Sequence, residues 1–110
     1  MIHMLSSFNL RDGEDLETFR ADYTAFIADL TAAGIIASAG PIGIRVSDTP
    51  MDTDDANPCQ LFSILSFHNR AHLDAAYAHI EARAKLGTKS HIRMYMHLRD
   101  TVFTCWEDAD

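Results

Sequence analysis

The chain has 110 residues, 47% of them hydrophobic, two cysteines and a formal net charge of −7. That length accommodates one hydrophobic core, and the acidic balance excludes a phosphate backbone or an anionic membrane as partner, because both need a concentrated basic surface. No apolar run approaches the roughly 20 residues that span a bilayer, and Met1-Ile2-His3-Met4 lacks the basic region of a secretory signal, so the expectation is a single cytoplasmic domain over 1–110.

Ile2 to Leu10 reads as a strand. It is apolar, has no helical period, and runs into the turn signal Arg11-Asp12-Gly13. Leu16, Phe19, Tyr23, Phe26, Ile27 and Leu30 then recur at spacings of three and four, which predicts an amphipathic helix capped by Asp12 or Asp15 and ended by Gly34. Ile35 to Val46 is β-branched and broken by Gly40-Pro41 and Gly43, the pattern of an edge strand with a bend or bulge. Asp48 to Pro58 is polar, acidic and rich in turn residues, and is expected as an exposed hairpin loop.

Gln60 to His68 is apolar at both parities, as a strand buried on two faces requires. Asn69 can cap a second helix whose buried stripe is Leu73, Ala76, Tyr77, Ile80 and Ala84 and whose end lies near Gly87. The last stretch, Ile92 to Trp106, alternates: Ile92, Met94, Met96 and Leu98 fall on one parity, with Arg93, Tyr95, His97 and Arg99 on the other. Such period-two alternation predicts a strand.

The order βαββαβ is that of a ferredoxin-like α+β fold, in which right-handed crossovers place two helices on one face of a four-stranded antiparallel sheet. The other face carries apolar side chains too, and a bare apolar face of that size marks an interface. A two-fold homodimer is the commonest way to cover it. Three segments carry a further resemblance: Phe8-Asn9-Leu10-Arg11-Asp12-Gly13 after the first strand, His72-Leu73-Asp74-Ala75-Ala76-Tyr77, and Leu98-Arg99-Asp100 with Phe103. With the first helix, they resemble the dimeric α+β barrel superfamily, in particular a bacterial family of uncharacterised proteins of this length and, more loosely, RedY-like pigment-biosynthesis proteins. The superfamily includes cofactor-free monooxygenases, isomerases, cyclases and heme-degrading proteins, and members without a known reaction, so the resemblance implies a fold and not an activity. The Asp48 to Pro58 loop departs from the pattern in being longer and more acidic, and no catalytic residue carries over.

The residues themselves supply few motifs. His72 and His79 stand seven apart, about 10 Å along a helix, too far to share one ion, and no HExxH occurs. Asp52-Thr53-Asp54-Asp55 lacks the later ligand and glycine of a calcium loop, with Ala56 and Asn57 in those places. Gly40-Pro41-Ile42-Gly43 does not fit a dinucleotide cradle. Cys59 and Cys105 have no CxxC spacing and read as free thiols. No metal and no cofactor are called for. An axial heme ligand, His68 or His97, is a third reading that no spacing favours.

Chemistry concentrates in the polar side of the last strand, where an antiparallel neighbour would add His3 and Ser7 to Arg93, Tyr95, His97 and Arg99. Converged, these would give proton transfer through His97, His3 and Tyr95, with Arg93 orienting an anionic substrate. Met4, Met94 and Met96 would add a deformable apolar wall, and with Ser7 they form the expected binding surface for a fatty-acid-like, polyketide or aromatic-acid ligand lodged between sheet and helices. The plainer alternatives are an exposed sheet edge, hydrogen-bonded interface histidines and methionine core filling. They lead to a non-catalytic dimeric module whose acidic loop meets a protein partner.

Overall fold

Residues 1–85 and 89–110 are described by a computed structural model. β1 (Ile2–Leu10) is flanked on both sides, by β4 (Leu61–Phe67) and by β5 (Leu98–Glu107), and all pairings are antiparallel. Beyond β4 lie two short segments, β2 (Ser38–Ala39) and β3 (Gly43–Ile44), each paired with β4. They are one edge strand broken where Pro41 has no amide to donate: Ala37, Gly40 and Arg45 donate to Ser66, Ile64 and Gln60, each over 2.8 Å, on either side of the break.

The first helix, α1 (Leu16–Ala32), starts where Asp15 accepts from the Thr18 amide at 2.9 Å and ends at Gly34, whose φ of 69° suits glycine. α2 (Arg70–Lys85) is capped by Asn69, which accepts from the His72 amide at 2.9 Å. Its Ala76 is buried and Leu73 and Ile80 half-buried, but Tyr77, expected on the stripe, is 69% exposed, and Gly87 lies outside the described residues.

One prediction is overturned. Lys89–Met96 is a third helix, α3, and β5 begins only at Leu98. The alternation of 92–98 is period two, but Met, Arg and Lys favour helices, and only Ile92 among 92–96 is β-branched. Packing settles the outcome, for Met94 points inward and touches both core clusters while Met96 is 63% exposed.

All three helices cover one face of the sheet. Phe8, Phe19, Tyr23, Leu61 and Leu98 make one buried cluster, and Phe26, Leu30, Leu65, Phe67 and Ala76 the other. Since directly paired side chains share a face, the registers Phe8↔Leu61, Met4↔Leu65 and Leu10↔Leu98 align this core along the even positions of β1. A bulge near Ser7 keeps that alignment in β5, where Asp100 takes a φ of 58°. Asn9 holds the bulge, donating to Asp100 Oδ2 and to the Pro58 carbonyl, each at 3.1 Å, while the buried thiol of Cys59 donates to the Asp100 carbonyl at 3.2 Å. Both cysteines are free, and burial raises the Cys59 thiol above its ordinary pKa.

Candidate functional site

The odd positions of β1 face away from the helices, and the pairing registers arrange that open face in rows. Ser38, Ser66, His3 and Trp106 form the first; Ile64, Leu5 and Thr104 the second; Gly43, Phe62, Ser7 and Val102 the third. Rows two and three are uncharged and mostly apolar. Ile64 is 40% and Val102 54% exposed, whereas Leu5 and Phe62 are half-buried. At the edge of these rows an open groove of about 200 Å³ runs between Leu5, Phe62 and Ile64 and the break at Gly40-Pro41. On the helix side of the same break a second groove of about 230 Å³ is lined by Tyr23, Thr24, Ile27 and Ala39. The Tyr23 hydroxyl donates to the Gly40 carbonyl at 3.1 Å there, and burial raises its pKa against the opposing effect of Ser63.

The first row carries the chemistry of this face. His3 Nδ1 lies 2.8 Å from Ser66 Oγ and its Nε2 2.9 Å from Asp108 Oδ1, with the Trp106 ring 5.3 Å from its own. His3 holds the Asp108 carboxyl below the usual carboxylate range. Ser66 is buried at 7% exposure, while the carboxylate is open to solvent.

His97 stands elsewhere, between α3 and β5. From the row of His3 to that of Leu10 and Leu98 is seven residues of β1, roughly 24 Å at strand rise. Its Nδ1 lies 2.5 Å from Glu14 Oε2 and its Nε2 2.7 Å from Asp22 Oδ2, and the Phe19 ring packs against it at 5.7 Å. Carboxylates only accept, so both nitrogens donate and the ring is an imidazolium. Burial works against that charge, but the hydrogen bonds to Asp22 and Glu14 prevail and the His97 pKa is raised.

The expected convergence is therefore not what the fold builds. His3 and Ser7 share the open face, and Ser7 is buried, but His97 is clamped at the far end of the sheet on the helix side. Arg93 and Tyr95 lie on α3 and not on a strand, both exposed. Met4 and Met94 both pack against the second cluster, as core filling. Among the described residues, none of the methionines lines either groove, and no Arg or His does.

Sequence reasoning missed Glu14, Asp22, Ser66 and Asp108. Asp22 left a signal, since it occupies an i, i+3, i+4, i+7 position of the apolar stripe with Phe19, Tyr23 and Phe26, where a carboxylate needs a partner. His72 also proves structural: its Nδ1 accepts from the His68 amide at 3.1 Å, so Nε2 donates to the Gly34 carbonyl at 3.1 Å and ties α2 to the end of α1. Among the described residues no group of three or more His, Cys, Asp or Glu is arranged to hold a metal ion, and no helix is long and apolar enough to cross a membrane.

The acidic loop is ordered from within. Arg45 Nε and Nη2 donate to the two carboxylate oxygens of Asp52 at 2.8 and 2.9 Å, and other guanidinium hydrogens reach the carbonyls of Asn57 and Asp54. This fork holds the Asp52 carboxyl at a pKa of about 2.

Solved structures repeat this architecture along nearly the whole chain. A crystal structure of an Arabidopsis thaliana protein superimposes with a TM-score of 0.77 at 10% identity, covering 100% of this chain and 97% of that one. A Thermobifida fusca protein, described as dimeric, ferredoxin-like and of unknown function, gives 0.59 at 17% identity over 96% of this chain and 88% of its own. The fold is ferredoxin-like. A Bacteroides fragilis protein with the same ferredoxin-like fold, also described as dimeric and of unknown function, gives 0.53 at 15% identity over 96% and 94%. No protein-family model and no curated protein matches the chain, so the ferredoxin-like assignment rests on structural likeness alone.

Proposed function

We propose that the chain is a single domain that works as a homodimer, its open sheet face set against that of a second copy, and that the pair binds a small apolar or amphipathic organic molecule in the groove beside Gly40-Pro41. The observation that carries this reading is the uncharged apolar patch of Leu5, Phe62, Ile64 and Val102 on a chain of net charge −7. Two copies of so acidic a molecule repel one another except where both are neutral, and these two rows are such a place. The face also complements itself, because its exposed Val102 and Trp106 lie on β5 and its groove at the opposite edge, so a two-fold axis sets one over the other. The Thermobifida fusca and Bacteroides fragilis proteins, each described as dimeric, agree with it.

A second copy would roof the groove and turn an open depression into a pocket at an interface, the usual setting for an apolar ligand with few polar contacts. The row of His3 and Ser66 borders it and suits a polar head group. Of the sequence-derived site residues, His3 and Ser7 thus belong to this reading, whereas His97, Tyr95, Arg93 and the methionines do not. The acidic loop, folded onto Arg45, offers fewer free carboxylates to a protein partner than its composition suggests.

Native mass spectrometry of the protein as purified tests both halves together. The expected species is twice the mass of the chain with a retained small molecule. A pair without added mass removes the tight ligand, and a monomer removes the pairing.

A further inference from the structure

The order of hydrogen bonds along the first row has a direction. Asp108 can only accept, so the His3 Nε2 that faces it at 2.9 Å carries the ring proton. In the neutral ring Nδ1 is then the bare nitrogen, and it faces the Ser66 hydroxyl at 2.8 Å, which donates to it. Carboxylate, imidazole and hydroxyl come from positions 108, 3 and 66, brought together by the registers His3↔Ser66 and His3↔Trp106 across three strands. A carboxylate that fixes the tautomer of an imidazole, which in turn holds a hydroxyl, is the arrangement that makes serine a nucleophile.

We propose that Ser66, His3 and Asp108 form an acyl-transfer centre on the open face of the sheet, acting on small esters or thioesters with an apolar or aromatic acyl group. Ser66 Oγ bonds to the acyl carbon while its proton passes to His3 Nδ1. The tetrahedral intermediate collapses, the bond to the leaving oxygen or sulfur breaks, and that atom takes the proton from His3. Water then attacks the acyl-serine, giving its proton to Nδ1, and collapse returns that proton to Ser66 Oγ and releases the acid. Trp106 beside His3 and Leu5 in the next row supply the apolar surface for the acyl group. The row lies at the border of the apolar rows, where His3 keeps 20% and Asp108 44% side-chain exposure while Ser66 keeps 7%, so a substrate enters over His3 and Trp106 and meets the hydroxyl from the open face, in a protomer or at the rim of a pair.

The test is covalent labelling of the full chain by a fluorophosphonate, read by intact mass and peptide mapping, together with hydrolysis of p-nitrophenyl butyrate. One adduct per chain at Ser66 is expected, absent in Ser66→Ala. His3→Gln should slow both reactions by about 100-fold or more, and Asp108→Asn by less, with circular dichroism confirming that each variant is folded. A wild-type chain that takes no adduct overturns the assignment whatever the variants do, as does an adduct placed on another residue or a rate unchanged in folded His3→Gln. The oligomeric state of the same samples is measured in parallel, so an unlabelled dimer and a labelled monomer separate this centre from the pairing.

Discussion

His97 and His3 both touch carboxylates, and the second nitrogen of each ring decides what it can do. In His3 that nitrogen meets a hydroxyl, in His97 another carboxylate. A buried imidazolium donating to two anions is a clamp between the segment before α1, α1 itself and the start of β5, and it exchanges no proton without breaking that clamp. Its effect on stability has a definite sign. A raised folded-state pKa means that the stabilisation is complete below the ordinary imidazole value of 6.5 and is lost as pH rises through the raised one. His97→Gln is therefore expected to lower unfolding free energy by about 2 kcal/mol at pH 6 and by progressively less toward pH 9, measured by urea denaturation. A deficit that does not change with pH would mean that packing against Phe19, and not charge, is what the ring supplies. The sequence singled out His97 as a residue worth attention but placed it in the wrong company, because its partners stand 83 and 75 positions away and no local pattern in 92–99 points to them.

At the scale of elements, periodicity read correctly wherever the buried stripe was long. The nine residues of β1 and the seventeen of α1 lie within a residue or two of their expected places, and the Asn69 cap starts α2. It failed at α3, whose last five residues, 92–96, satisfy an alternating template yet lie in a helix. Over so short a stretch the two periods differ at few positions, and the packing of Met94 between the two core clusters decides. Met94→Ala is accordingly expected to cost about 2 kcal/mol, whereas Met96→Ala, in a side chain 63% exposed, should stay within about 0.5 kcal/mol of wild type. Equal costs in thermal unfolding would mean that α3 presents another face to the core. The edge strand was legible as far as its interruption at Gly40-Pro41, but the grooves on either side of it were not, since both depend on how far the broken strand stands off its neighbours.

For the molecule as a whole, the consequence of the fold is its asymmetry. The helices cover one face and leave the other with its apolar rows in the open, in a protomer of 41 × 40 × 19 Å that is two layers thick. The apolar parity of the strands made that face foreseeable. The polar first row was not, because placing Ser66 and Asp108 beside His3 requires the β1–β4 and β1–β5 registers and the course of the chain after β5. Pairing through rows two and three makes one residue diagnostic. Val102 is 54% exposed and opposite Ser7, away from the core and from the acyl-transfer row, so a charge there leaves the protomer fold intact. Sedimentation equilibrium of wild-type and Val102→Lys protein is thus the most direct measurement. The wild type should sediment as a dimer and the variant as a folded monomer, its dissociation constant raised about 100-fold or more, equivalent to about 3 kcal/mol for a desolvated charge without a partner. A monomeric wild type, or a variant that pairs as tightly as the wild type, would contradict the pairing of the open faces.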